Sequence, residues 1–410
     1  MKWGLIPLHF QSAHGSSLST TSSPVSPMAH SPLLRNDQTL FRDPDVFELT
    51  FVPDHLHHRD AEVKELAFLI SPALRGGSAL SAILRGPPGT GKTTTVRRIF
   101  REVAEETQQV IPVYVNCRQD RTPLAVYGSI FKQVCGSPAP LAGRYLDDIK
   151  EGIASRLRDR NAALVVCLDD ADELIPAGTY NLLLYQLLRL YEKWDVRKAG
   201  VFAVTSNLAL NLGAEADASV WSVFHPTEIT FLPYSRTEIR EILTDRVRQG
   251  LYPRVLPKPL IDRIATIAAG EQDVRVGIDL IRAAALRAEK DGRRRVTHAD
   301  VTAAARAVTA PALRARATRL SEAERVLACW IAERARGGAD MASGAVFEAA
   351  QEYLPVGKTT YHEHLNALTR AGIVDLVPRT GRGREVRLRY DAGDVAAACK
   401  FPDSTCKIPN

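Results

Sequence analysis

The chain has 410 residues, 45% of them hydrophobic and 24% charged, with 53 Lys and Arg against 47 Asp and Glu. That exceeds the roughly 250 residues at which a single core stops growing, so two or three domains are expected, and the composition is that of an ordinary globular protein rather than a disordered one. No apolar run approaches the ~18 residues of a membrane span, and the net charge of +6 permits a polyanionic partner without requiring one.

In chain order, residues 1 to 35 are rich in Ser, Pro, Thr and His and lack an apolar period, which predicts a disordered tail. The opening stretch from Met1 to Phe10 is short, broken by Pro7 and followed by no cleavage pattern, so it is a poor signal peptide, and the cytoplasm is the expected compartment. From 36 to 232, β-rich runs alternate with helical patterns, the signature of a parallel sheet wrapped by helices. The candidate strands are 79–84, 111–116, 163–169 and 200–205, whose continuous apolar character suits burial on both faces. Helical periods at 237–249, 258–268, 274–290 and 297–308 predict an all-helical domain over 233–310. The Ala, Pro and Arg content of 309–318 suggests a linker, a third unit fills 311–398, and 399–410 is a tail. The six cysteines, scattered without CxxC spacing, read as buried or free thiols.

Gly86 to Thr93 matches G-x-x-x-x-G-K-T between an apolar strand and a helix. In such a loop backbone N–H groups wrap phosphates, Lys92 meets the β and γ oxygens, and Thr93 offers a hydroxyl to Mg²⁺. The strand ending in Asp169 and Asp170 adds what a Mg²⁺-nucleotide site needs, one acid for the metal shell and one to orient water. Asn207, just beyond the next strand, is placed to bond the attacking water or the γ-phosphate, although Ser206 and Asn207 also simply start a loop. Arg275, opening a helix of the second domain, can reach a γ-phosphate or lie on the surface.

Residues 357 to 372 read as a helix with Tyr361, Leu365 and Leu368 on one face and Thr359, Glu363, Asn366 and Arg370 on the other. Strands over 373–377 and 385–390, joined through 378–383, make a wing carrying Arg379, Arg382, Arg384, Arg387 and Arg389 against Glu385. Helix plus basic wing is the winged form of helix-turn-helix. Lys358, Thr359 and Thr360 at the helix start, with Arg379, Arg382 and Arg384 in the wing, are the candidate contacts to duplex DNA.

Together these motifs resemble the AAA+ class and, within it, the archaeal origin-recognition and cell-division-control type replication initiators, related to the largest subunit of the eukaryotic origin recognition complex. The resemblance rests also on residues 51–62, on 114–117 with 121–123, and on 229–234 ahead of Glu238 and Arg246, and covers about 40 to 390. It implies an α/β AAA+ P-loop core (36–232), an all-helical lid (233–310) and a C-terminal winged helix. ATP or ADP with Mg²⁺ would be held by Val52, Pro53, Arg59, Pro88, Gly89, Thr90, Gly91, Lys92, Thr93, Thr94, Tyr234 and Arg246, with the adenine along 52–59. The implied partners are double-stranded origin DNA, the replicative helicase and paralogous initiators, at the nucleoid, with a second DNA contact somewhere in 118–132. Two departures stand out. Asp170 replaces the family's Glu, and Ser219 and Trp221 stand where arginines usually do, so hydrolysis is expected to be slow. Two alternatives share much of this pattern, a winged-helix signalling ATPase regulating transcription and a ring-forming, clamp-loader-like hydrolase.

Overall fold

The computed structural model describes residues 39–139, 145–351, 355–378 and 383–399. The N-terminal tail expected over 1–35 lies outside them, as do Arg379 and Arg382 of the wing and all of the C-terminal tail except Cys399.

The first layered unit runs α1 (Asp60–Leu74), β1 (Ala82–Arg85), α2 (Lys92–Glu106), β2 (Val110–Asn116), α3 (Pro123–Cys135), α4 (Leu146–Asp159), β3 (Ala163–Asp169), α5 (Tyr180–Leu188), α6 (Leu190–Lys193), β4 (Gly200–Thr205), α7 (Ala218–Phe224) and β5 (Thr227–Thr230). The strands form one parallel sheet in the order β2-β3-β4-β1-β5. Alternation along β3 divides its side chains between two cores. Leu164, Val166 and Leu168 join the cluster with Tyr127, Ile153 and Leu184, while Ala163, Val165 and Cys167 join the one with Leu66, Val96 and Phe100.

Two strand expectations change. The first strand begins at Ala82, because Ala79 is buried against α1 and the Leu80 N–H donates to the Leu69 carbonyl instead of entering the ladder. β5 was not expected at all. It is a four-residue edge strand in which only Ile229 is buried, so it shows no continuous apolar run.

The helical domain comprises α8 (Arg236–Gly250), α9 (Lys258–Glu271), α10 (Val274–Lys290) and the first half of α11 (His298–Ala317). Its core also takes Leu40, Phe41 and Phe47, so the start of the described chain, expected within the sheet domain, packs on the helices instead. Phe47 sits so close that a Cβ on Gly250 would lie 2.3 Å from its ring. The expected linker at 309–318 is absent: α11 runs through it, with Pro311 inside. An alanine-rich helix tolerates that one lost backbone bond because it is anchored at both ends. Val301 and Ala304 are buried in the helical domain, Leu313 and Ala317 in the next unit.

The last unit contains α12 (Glu322–Arg336), α13 (Ser343–Ala350), α14 (Lys358–Arg370), the antiparallel hairpin β6 (Val374–Pro378) and β7 (Arg384–Leu388), and α15 (Ala392–Cys399), the element order expected of a winged helix. Tyr361, Leu365 and Leu368 of α14 face its core, as their spacing predicts.

Candidate functional site

β1 and β3 end at the same edge of the sheet, and the loop from Gly86 to Gly91 turns there into α2. Gly89 and Gly91 have φ of +71° and +89°, conformations that disfavour a side chain. The loop is also roofed. A Cβ would fall 2.3 Å from the Phe231 carbonyl oxygen at Gly86, 1.9 Å from Asp273 Oδ1 at Gly89 and 2.7 Å from the Tyr234 hydroxyl at Gly91. Lys92 Nζ donates to the carbonyls of Gly86 (2.7 Å) and Pro87 (2.8 Å). Burial pulls its pKa down to about 8, with the Asp169 carboxylate opposing.

Asp169 Oδ2 accepts from Thr93 Oγ1 at 2.8 Å and from the Tyr114 hydroxyl of β2 at 2.6 Å. A hydroxyl and a carboxylate held together are hard oxygen donors of the kind Mg²⁺ takes, so this pair fits the expected metal. The Arg97 guanidinium lies 4.2 Å from the Tyr114 ring centre. Burial and then the charge of Asp169 push the Tyr114 phenol well up, which keeps it a donor. Asp170 adopts a left-handed backbone (φ 52°, ψ 47°), and its Oδ2 is 2.8 Å from Arg118 Nε. Its carboxyl is raised by burial and by Asp169, with Arg118 pulling the other way.

From the helical domain, Asp273 caps α10 by accepting from the Arg275 N–H, and the Arg275 guanidinium forks back onto the same carboxylate, Nη2 to Oδ2 at 2.6 Å and Nε to Oδ1 at 3.0 Å. On the far side the Arg246 guanidinium stacks 4.5 Å from the Phe51 ring centre and donates to the Val46 carbonyl. Burial lowers Arg246 to about 10. Arg98 and Arg101 of α2 grip Asp54 and so position the adjoining Val52 and Pro53. The resulting cleft, about 280 Å³, has an apolar end at Phe51, Val52, Ile242 and Ile278 and a charged end at Lys92, Asp169, Asp170 and Arg275. An aromatic base with a polyphosphate tail suits that division.

Of the expected site residues, the cleft gathers Val52, Pro53, every residue from Pro88 to Thr94, Asp169, Asp170, Tyr234, Arg246 and Arg275. Two others it does not gather. Arg59 is buried behind the loop, donating to the carbonyls of Thr90 (2.9 Å) and Leu232 (2.7 Å), pairing with Glu62 and stacking 3.9 Å from Tyr234, so its guanidinium is tied into the protein rather than lining the cleft. Asn207 turns its Oδ1 to the N–H of Ala209, capping its own loop, and Ser206 lines the cleft in its place. Tyr114, Arg97 and Asp273 were not singled out from the sequence as site residues. The fork at Asp273 and Arg275, spaced two apart at a helix start, was the one such feature with a local signal.

In the last unit Lys358, Thr359 and Thr360 are exposed at the start of α14, and Arg384 is exposed at the start of β7. Arg389 is otherwise committed, at 2.7 Å from Asp375 and donating to the Gly270 carbonyl. Arg118 and Arg121, within the stretch expected to touch DNA, are 2.8 Å from Asp170 and 3.0 Å from Glu173.

A family model described as an AAA ATPase domain matches residues 55–198, and one described as the Cdc6 AAA+ ATPase-type lid domain matches 240–306. The chain is 34% identical to ORC1-type DNA replication protein 2 of Methanosarcina acetivorans, over 91% of this chain and 100% of that protein. It is 37% identical to ORC1-type DNA replication protein 3 of Haloarcula marismortui, over 88% and 96%. Among solved structures it is similar to the Aeropyrum pernix ORC1 protein in complex with DNA (TM-score 0.59, 28% identity, covering 88% of this chain and 96% of that one). It is similar too to the ADPNP-ADP complexes of the Aeropyrum pernix ORC2 protein (TM-score 0.64, 26% identity, 88% and 97%).

Proposed function

The chain belongs to the family of ORC1-type DNA replication proteins, and we propose that it is an ATP-dependent replication initiator whose nucleotide state governs its grip on origin duplex DNA and its recruitment of the replicative helicase. The observation that carries the nucleotide half is the meeting, in one cleft, of the glycine loop, the Thr93–Asp169 oxygen pair and an arginine of the helical domain. Lys92 and the loop N–H groups would hold the phosphates, Thr93 and Asp169 the Mg²⁺, and the slot beside Phe51, Val52 and Arg246 the adenine. When bound, the metal would supply positive charge against the phosphate oxygens.

Binding is favoured over rapid turnover. Asp170, the candidate for orienting water, is engaged by Arg118, and Asn207 caps its own loop and does not line the cleft. Ser219 and Trp221 on α7 supply no guanidinium for a neighbouring site. Slow hydrolysis suits a timed switch better than a motor.

For DNA, the exposed start of α14 would enter the major groove while Arg384 and its wing neighbours meet the backbone. The Aeropyrum pernix ORC1 complex with DNA supports this reading by family. The test is footprinting on the chromosomal region flanking the gene, with ATP, with ADP and with neither, at two salt concentrations, beside a Lys358→Ala/Arg384→Ala variant. Protection of a discrete repeated element, lost in the variant, is expected. Diffuse binding that vanishes with salt would refute the origin-specific reading. Helicase capture by the DNA-bound protein tests the recruitment step.

A further inference from the structure

Asp273 occupies a place where a negative charge is hard to explain as structure. Its carboxylate lies on the middle of the phosphate-binding loop, so close that a Cβ on Gly89 would meet Oδ1 at 1.9 Å and Cα at 2.9 Å. The phosphates of any bound nucleotide bring like charge to that loop. Asp273 also caps α10, but Asn or Ser caps a helix comparably, so the cap requires an oxygen and not a charge. What the charge does is hold Arg275. Three bonds from Nε and Nη2, between 2.6 and 3.1 Å, lock the guanidinium onto the carboxylate, and Arg275 is the arginine that α10 contributes to the cleft.

We propose that Asp273 is a specificity-determining latch that occupies Arg275 unless a terminal phosphate competes for it, so that the site distinguishes nucleoside triphosphate from diphosphate by whether the Asp273–Arg275 pair opens. The inference rests on the nucleotide-binding reading of the cleft. A guanidinium fork binds phosphate and carboxylate with the same two-pronged geometry, so a γ-phosphate is a direct rival to Asp273. A diphosphate, shorter by the rival group, leaves the latch closed. The ion pair therefore holds back the preference for ATP, and it sits on the first turn of α10, where Asp273 is the cap.

The test measures affinities for ADP and for a slowly hydrolysed ATP analogue, with Mg²⁺, by calorimetry on the full chain and on Asp273→Asn, Arg275→Ala and the double variant. Asp273→Asn keeps the cap and removes the charge. It should raise the ratio of triphosphate to diphosphate affinity about tenfold, over and above the gain that both nucleotides share when the like charge is removed. Arg275→Ala should lower the ratio, and adding Asp273→Asn to it should change nothing further. An unchanged ratio in Asp273→Asn overturns the latch. So does an equal rise in the Arg275→Ala background, which would mean plain charge repulsion. Asp273→Ser repeats the measurement with a second capping residue should the Asn variant fold poorly. A wild-type chain that binds neither nucleotide refutes the nucleotide reading itself, and the latch falls with it.

Discussion

The hydroxyl of Tyr114 donates to Asp169 Oδ2 over 2.6 Å, and Thr93 donates to the same oxygen. The phenol therefore fixes which way the proposed metal-binding carboxylate faces. Tyr114→Phe keeps the ring that carries Arg97 and removes only this bond. Outer partners of metal ligands commonly govern metal affinity by about tenfold or more. The expected result is ADP affinity unchanged without Mg²⁺ and a Mg²⁺-dependent gain reduced about tenfold, measured by nucleotide titration across Mg²⁺ concentrations. Equal losses with and without the metal would show that Tyr114 only shapes the loop.

Arg59 was expected to touch the nucleotide and instead ties the Thr90 carbonyl to that of Leu232, binding the phosphate loop to the segment that leads into the helical domain. It is buried and stacked on Tyr234. A lysine has neither the planar fork nor the stacking face. Arg59→Lys should thus lose about 2–4 kcal/mol of stability, the range for an orphaned buried partner of charged hydrogen bonds. It should weaken ATP and ADP binding by equal factors, since no phosphate is read directly. Denaturant unfolding and paired titrations check both parts, and selective loss of ATP binding would restore a direct role.

Much of the site was legible because its chemistry is local in sequence. Gly86 to Thr93 fix a loop by themselves, and an acidic pair ending a fully apolar strand points to β3 and the metal position. Tyr114 was hidden because its partner is 55 residues away and nothing in the spacing says that β2 neighbours β3. Arg59 was misplaced for the same reason, its partners Thr90 and Leu232 being 31 and 173 residues distant. β5 escaped because an edge strand needs only one buried residue. The helix through 309–317 escaped because Pro and Ala signal a boundary locally, whereas two cores, seen only in three dimensions, hold α11 at both ends.

Asp300 gives the helical domain a measurable acid response. Buried at the start of α11, it accepts from Arg293 through both oxygens (2.5 and 2.7 Å) and from Thr297, bonds that hold its carboxyl well below the usual range, the Arg293 bond foremost. A depressed carboxyl stabilises the fold above its unfolded value near 4, and that contribution drains away as pH falls toward the folded value. Asp300→Asn should therefore lower Tm by several degrees at neutral pH, with the gap from wild type narrowing steadily below about pH 4. A gap independent of pH would assign the effect to packing alone.

Glu271 and Arg316 join the helical domain to the last unit, with Arg316 Nη2 2.7 Å from Glu271 Oε2 and Arg316 also donating to the Gly372 carbonyl and meeting the Tyr390 hydroxyl. Gly270 beside it receives Arg389. Glu271 is the last residue of α9, and two residues on Asp273 caps α10 and holds Arg275 in its first turn, so a shift at the cleft is two residues from the grip on the last unit. Glu271→Gln keeps the shape and loses the charge that Arg316 answers. Nucleotide affinities should stay within about twofold, because nothing in the cleft changes, whereas the difference in DNA affinity between ATP-bound and ADP-bound protein should shrink by severalfold, as expected when a coupling energy of about 1–3 kcal/mol is cut. Fluorescence anisotropy on a footprinted element, with each nucleotide in excess, measures the difference directly. If it persists undiminished in Glu271→Gln while Arg316→Ala also leaves it intact, the nucleotide signal does not travel through this turn.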